Sequence, residues 1–160
     1  MNLFKIINRK YTGIIVLFLI LLFTGCQVDD NDTDFVLEGI WKSPYDSYTI
    51  TKTTVDYFMD NSSFDGDNGI LKGSIEENIR FTANAGVLII KVTESVAIGN
   101  TVGYFTGIYY SDGTNISIRM ANAINADYSP TETSTLVAAK SIFTVDNVGN
   151  HVSMWGTYTR

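Results

Sequence analysis

The sequence predicts a mainly β chain whose antiparallel strands close into a barrel of about eight strands, with one α-helix before the last strand. Three observations support this fold class. Short stretches alternate between apolar and polar residues, which is the period of a half-buried strand. Gly, Pro, Asn and Asp cluster between these stretches, which is typical of tight turns. A helical period occurs in only one stretch, near the end of the chain.

The first half of the folded part contains the stretches that alternate most clearly. We predict strands over residues 37–43, 48–53 and 55–59, and one or two strands over 70–81. In the first of them, Gly39 and Trp41 fall on the same face, because successive strand residues point to opposite faces. The second is rich in β-forming residues. A turn over 44–47 joins these two strands, and a polar loop over 60–69 precedes the fourth stretch.

The second half contains four more predicted strands and the helix. The strands cover residues 87–93, 103–110, 115–121 and 151–158. The first of these is apolar on both faces, which predicts a central strand. Asp112-Gly113 predicts a hairpin turn. Ser129-Pro130-Thr131-Glu132 has the form of a capping box, and the following residues 133–143 place apolar side chains at helical spacing, which predicts a helix of about three turns.

The start of the chain has the composition of a secretory leader. Basic residues precede an apolar run over 14–23, and the chain becomes acidic directly after Cys26. A charged start, a short apolar core and small residues before a cut site are typical of a signal peptide. The apolar run is about ten residues, whereas a transmembrane helix needs about 20. We therefore predict a signal peptide over residues 1–25.

The stretch Leu22-Phe23-Thr24-Gly25-Cys26 resembles the lipobox of bacterial lipoproteins. The resemblance implies cleavage after Gly25, lipidation of Cys26 and a membrane as the first partner. Each buried methylene contributes about 0.8 kcal/mol, so two or three acyl chains on one residue give lasting attachment. Gln27, rather than Asp, follows Cys26, which by the sorting rule of diderm bacteria implies the outer membrane. Stretches 37–41, 125–129 and 143–158 also resemble bacterial envelope lipoproteins, those of spirochaetes in particular, and that group has no established activity.

The residues after the predicted cut site form a tether and one domain. Residues 26–34 carry four aspartates and almost nothing apolar, so we predict the lipidated Cys26 and a disordered acidic tether there, followed by the barrel over 35–160. All 17 acidic residues lie after residue 25, whereas three of the 11 basic residues lie before it. The mature chain is therefore strongly acidic and repels phosphate backbones, which excludes nucleic acid as a partner.

Few residues offer catalytic or metal-binding chemistry. Cys26 is the only cysteine and His151 the only histidine, which argues against zinc or cysteine-cluster sites. Asp60, Asp65 and Asp67 share one loop but lack the Gly and Glu positions of a calcium-binding EF-hand. We expect His151 to be a solvated turn residue. No nucleophile and base pattern is visible, so the sequence predicts a protein that is not an enzyme and has no cofactor or metal.

Gly39-Ile40-Trp41 on the first strand is similar to the Gly-x-Trp signature of calycins, which include lipocalins, fatty-acid-binding proteins and avidin-like barrels. The helix before the last strand also resembles lipocalin topology. The resemblance implies that Trp41 closes one barrel end, often beneath an Arg from a late strand. Arg119 and Arg160 both remain open for that role.

The aromatic residues are the candidate binding set. Inward-facing Tyr and Trp would line an apolar cavity with a few hydroxyl donors, which suits a small ligand. We assign this role to Trp41, Tyr57, Tyr104 and Trp155. The open alternative is that they fill the core, since a barrel of about eight strands can be packed solid. The sequence thus predicts a lipid-anchored binding module for a small apolar or amphipathic ligand. The alternative is a structural or adhesion lipoprotein that contacts a protein partner and has no internal cavity.

Overall fold

A computed structural model of the chain describes residues 35–61, 66–152 and 155–160. The predicted signal peptide, the predicted lipidation site Cys26 and the predicted acidic tether lie outside the described residues, as does Asp65 of the polar loop. Within these ranges, no helix is long and apolar enough to cross a bilayer.

Nine strands of the described residues form one antiparallel sheet that closes on itself. They are β1 (Gly39–Lys42), β2 (Asp46–Ile50), β3 (Thr54–Met59), β4 (Gly69–Thr82), β5 (Ala85–Val96), β6 (Phe105–Ser111), β7 (Ser117–Asn122), β8 (Glu132–Thr133) and β9 (Gly156–Thr159). The first seven strands pair in chain order, and β9 pairs with both β7 and β1. The short β8 pairs only with β6. The predicted antiparallel barrel of about eight strands is confirmed.

The two longest strands are β4 and β5. Residues 70–81, predicted as one or two strands, belong to the single 14-residue strand β4. In β5, Leu88 and Ile90 face the barrel interior, whereas Val87 and Ile89 lie on the outer face and are equally buried. This strand is therefore covered on both sides, as its uninterrupted apolar sequence predicted.

The middle of the barrel is filled with side chains. One continuous cluster of buried residues lines the inner face: Trp41, Tyr48, Ile50, Val55, Tyr57, Leu71, Leu88, Ile90, Val92, Ile108, Tyr110, Ile118, Met120 and Tyr158. Burial of each large apolar side chain contributes about 1.5–3 kcal/mol, so this cluster is the main source of stability. Within the described residues, clefts of about 310 and 360 Å³ lie towards the two ends of the barrel.

One end of the barrel is closed by Trp41, which is fully buried. Its indole Nε1 donates a hydrogen bond to the Leu37 carbonyl over 2.8 Å. The Arg160 guanidinium lies 4.5 Å from the centroid of the Trp41 ring and donates to the Val36 and Glu38 carbonyls. Arg160 is thus the late arginine that covers Trp41, and the barrel is calycin-like, as the Gly39–Trp41 signature predicted.

Two short helices precede the last strand, α1 (Leu136–Ile142) and α2 (Val148–His151), with a 3-10 turn (Val145–Asn147) between them. The predicted capping box at 129–132 is wrong. Pairing of β8 with β6 keeps Glu132 extended, and its carboxylate accepts hydrogen bonds from Thr101. The true N-cap is Thr135, whose hydroxyl accepts from the Ala138 amide over 3.2 Å.

The last strand begins later than the sequence predicted. Residues 148–151 form α2, so the strand starts at Gly156 instead of His151. Since β9 pairs with β7 from Gly156 onwards, its start is set by this long-range pairing, which the local alternation of residues 151–158 does not reveal.

Helix α1 covers the outer face of β5 and β6. Its end places Phe143 against Tyr109, with ring centroids 6.3 Å apart, in a second buried cluster outside the barrel. A side chain at Gly107 would put a Cβ atom 2.9 Å from the Phe143 ring. Glycine therefore allows the helix to approach this strand closely.

Candidate functional site at the barrel mouth

The end opposite Trp41 opens into a cavity of about 360 Å³, which we call the mouth. It is formed where β1, β3 and β7 end and where β2 and β9 begin. Its lining residues are Ser43, Tyr45, Asp46, Tyr48, Tyr57, Met59, Met120, Ala121, Asn122, Trp155, Gly156 and Tyr158. The filled core forms its floor, so a ligand would rest on top of the core.

Within the described part of the chain, Asp46 is the one charged side chain that lines the mouth. It shares the inward face of β2 with Tyr48 and is half-buried. Its carboxylate accepts hydrogen bonds from the hydroxyls of Tyr158, over 2.7 Å, and Tyr57, over 3.2 Å, and also from the Ser43 hydroxyl. All three donors are neutral, so the negative charge of Asp46 is solvated but not cancelled.

Three tyrosines form the floor of the mouth. The Tyr48 ring lies 4.6 Å from Tyr57 and 5.1 Å from Tyr158, centroid to centroid, the second pair edge-to-face. The Tyr48 hydroxyl donates to the Asn122 side-chain oxygen over 3.0 Å. Aromatic pairs at these distances contribute about 0.5–1.5 kcal/mol beyond their burial, so these contacts stabilise the floor.

The phenols of this floor are held in the neutral form. Burial raises the pKa of Tyr57 and of Tyr158 well above the usual value, and the neighbouring Asp46 carboxylate raises both further. Burial likewise raises the pKa of Tyr48, with smaller contributions from Tyr158, Tyr57 and Asp46. The three hydroxyls therefore remain hydrogen-bond donors throughout the physiological range.

These shifts predict a loss of stability at alkaline pH. A phenol whose pKa is higher in the folded state contributes stability below its unfolded pKa of about 10, and that contribution disappears as the pH rises towards the folded value. Urea unfolding should therefore give a free energy of unfolding that is flat up to about pH 9 and falls above about pH 10. A Tyr158→Phe variant should show a shallower fall. The explanation fails if phenolate absorbance shows all nine tyrosines ionising near pH 10 in the folded protein.

The structure brings two of the four candidate aromatic residues to the mouth. Tyr57 forms part of the floor, and Trp155, directly before β9, forms part of the wall. Trp41 lies at the closed end. Tyr104 lies in the loop between β5 and β6, is 40% exposed, and does not line the cavity. Arg119 lies on β7, which pairs with β9, and its guanidinium lies 5.3 Å from the Trp155 ring centroid.

Asp46 is the most polar residue of the site, and the local sequence does not single it out. The turn predicted over residues 44–47 includes Asp46, whereas in the structure Asp46 is the first residue of β2 and has the same parity as Tyr48 and Ile50. Extending the alternation of β2 back by two residues would have placed this carboxylate inside the barrel. The pairing of Tyr48 with Asn122 joins residues 74 positions apart and left no local signal.

His151 is a half-buried part of the outer cluster. It ends α2, and its ring packs edge-to-face against Phe143 at 6.2 Å. The expectation of a solvated turn residue is therefore wrong. Among residues 35–61, 66–152 and 155–160, no three His, Asp or Glu side chains lie close enough to hold a metal ion.

A second cleft, of about 310 Å³, lies beside the closed end. The segment 35–38 forms one wall and residues of β4 and β5 form the other. Glu38 and Arg80 give this cleft one charge of each sign, and it lacks the tyrosine floor of the mouth. The mouth is therefore the better candidate for a binding site.

The chemistry of the mouth follows from the side chains that line it. No family model, curated protein or solved structure matches this chain. Among the described residues, five aromatic side chains, one carboxylate and one side-chain amide line this cavity, which is open to solvent. Such a surface is suited to holding a small molecule by stacking and hydrogen bonding.

Proposed function

We propose that this protein is a lipid-anchored, non-catalytic binding module of a bacterial cell envelope, and that its barrel mouth holds a small amphipathic ligand. The observation that carries the binding role is the cavity of about 360 Å³ with a tyrosine floor and an inward carboxylate. Ligand sites are typically about 300–1,000 Å³, mostly apolar, with a few convergent polar groups. The mouth meets each of these criteria.

The filled middle of the barrel limits the size of the ligand. Because Tyr48 and Met120 are almost fully buried beneath the cavity, a long acyl chain has no channel to enter. The ligand that fits is short, with an apolar part against the tyrosine rings and a polar part near Asp46 or Asn122. Of the small apolar or amphipathic ligands that the sequence predicts, the proposal therefore keeps the short amphipathic ones.

Mass spectrometry of the intact full chain under native conditions tests the binding role. We expect a small molecule to co-purify with the wild type. A Met59→Trp variant should lose it, because Met59 lines the mouth and the larger ring fills the cavity. The matched control is Phe58→Trp. It also introduces a tryptophan, but on the opposite face of β3, where Phe58 is 41% exposed. Equal occupancy of both variants would contradict binding in the mouth.

The lipid anchor is supported by the lipobox that ends at Cys26. Growth of the producing bacterium on a labelled fatty acid should label the full-length protein, and Cys26→Ser should abolish the label, because the thioether forms on that sulfur. Wild-type protein without label would overturn the anchor and leave the binding role untouched. Phe35, the first of the described residues, packs beside Trp41 with ring centroids 6.4 Å apart.

A second candidate function is contact with a protein partner through the rim of the mouth. Three tyrosines on loops at that end are exposed: Tyr45, Tyr104 and Tyr128. Exposed tyrosine is enriched in protein interfaces because it offers a large contact area at low entropic cost. Capture of a protein that is lost when Tyr128 is changed to Ser, together with an empty mouth in native mass spectra, would favour this candidate.

A further inference from the structure

The mouth has a charge preference that the proposed function leaves open. We propose that its ligand is a small organic cation that carries an alkylammonium group. This inference rests on the proposed binding role of the mouth. It is carried by one juxtaposition: the Asp46 carboxylate lies among aromatic side chains in a cavity that no basic side chain of the described residues lines.

The Asp46 carboxylate forms no ion pair with any of the described residues. Among the described residues, ion pairs join Lys72 to Glu94, Arg119 to Asp112 and Lys140 to Glu77, and none of them involves Asp46. A partly buried charge without a countercharge costs free energy, since neutral donors solvate it only in part. A cation in the mouth would recover that cost, whereas a neutral or anionic ligand would not.

The three tyrosines of the floor use their hydroxyl hydrogens within the protein. The hydroxyl hydrogens of Tyr57 and Tyr158 point to Asp46, and that of Tyr48 points to Asn122. The donors of the floor are therefore already used within the protein. What the floor presents to a ligand is therefore hydroxyl oxygens. Tyr45 and Trp155 add two more aromatic side chains to the lining, and a lining rich in aromatic rings suits an alkylammonium ion.

The charges outside the cavity also disfavour an anion. The Arg119 guanidinium over Trp155 is not part of the lining and pairs with Asp112 over 3.4 Å. The whole chain has a formal net charge of −6. At long range, a chain of this net charge attracts cations and repels carboxylates and phosphates.

A matched pair of probes tests the inference directly. Choline and its neutral isostere, in which a carbon atom replaces the ammonium nitrogen, have the same shape and differ only in charge. Isothermal titration of the full chain in a non-ionic maltoside detergent should show choline binding at least about tenfold more tightly than the isostere, which is about 1.4 kcal/mol. Equal affinities would overturn the charge preference and leave the binding role intact.

Two variants locate the effect. Asp46→Asn keeps the shape of the side chain and should lower choline affinity about tenfold, to that of the isostere. Asp56→Asn removes the same charge from the outer face of β3, where Asp56 is exposed, and should leave choline affinity unchanged. Equal losses in the two variants would overturn the inference, because long-range attraction to an acidic protein would then explain the binding. Circular dichroism confirms that each variant is folded.

A third probe distinguishes the two possible sources of the ammonium group, a free alkylammonium compound and a lipid headgroup. Glycerophosphocholine carries the same cation next to a phosphate, as in a lipid headgroup. We expect it to bind more weakly than choline, and that result would indicate a free alkylammonium compound as the ligand. Equal or tighter binding would support the same cation preference with a lipid headgroup as the source. If none of the probes binds, the cation inference is overturned. Native mass spectra of the wild type then decide the binding role separately.

Discussion

Replacing Trp41 with alanine is expected to lower the free energy of unfolding by about 3–5 kcal/mol. The indole is fully buried at the closed end, where it lies beneath Arg160 and donates to the Leu37 carbonyl. Its removal leaves a cavity and also removes the ring on which the guanidinium rests, so Arg160 loses its stacking partner. Urea unfolding of the full chain, followed by far-ultraviolet circular dichroism, measures the change.

The neighbouring residue provides the control. Ile40 lies on the opposite face of β1 and is 52% exposed, so Ile40→Ala should cost less than about 1 kcal/mol. Trp41→Ala should also retain binding in the mouth under conditions where it remains folded, because Trp41 does not line that cavity. A cost below about 1 kcal/mol for Trp41→Ala would contradict its role as the closing residue.

The second large effect is expected at Phe143, on the outer face of the barrel. Phe143→Ala should destabilise the fold by about 3–5 kcal/mol, because this fully buried ring fills the space over Gly107 and contacts Tyr109 and His151. Without it, α1 has lost its main contact with the barrel wall. The same urea experiment applies, and hydrogen exchange should show α1 losing protection before the strands do.

Val137 on the same helix is the matched control. It is 81% exposed, and Val137→Ala should change the free energy of unfolding by less than about 0.5 kcal/mol. Similar costs at the two positions would mean that α1 contributes little packing, and would contradict the assignment of the outer cluster as part of the core.

Much of the fold could be predicted because the information is local. Alternation along each strand, the Asp112-Gly113 turn and the two-sided apolar sequence of β5 are properties of neighbouring residues. The Gly39–Trp41 signature also indicated which end would be closed. The identity of the covering arginine was not local, because Arg160 reaches Trp41 only when β9 pairs with β1.

The site was harder to predict than the fold, for the same reason. Of the four aromatic residues chosen from the sequence, Tyr57 and Trp155 line the mouth, and Tyr158 was not chosen although it contacts Asp46. Tyr158 and Asp46 are 112 residues apart, and only closure of the barrel brings them together. The helix start was misplaced because the pattern of a capping box does not reveal that β8 pairs with β6.

The most direct test of the binding role is a map of backbone amide shifts in the full chain, recorded by nuclear magnetic resonance during a choline titration. We predict perturbations confined to residues around the mouth: 43–48, 57–59, 120–122 and 155–158. Shifts centred on 35–42 beside Trp41 or on the outer face of α1, or no shifts at choline concentrations that saturate the calorimetric titration, would contradict a ligand site in the mouth.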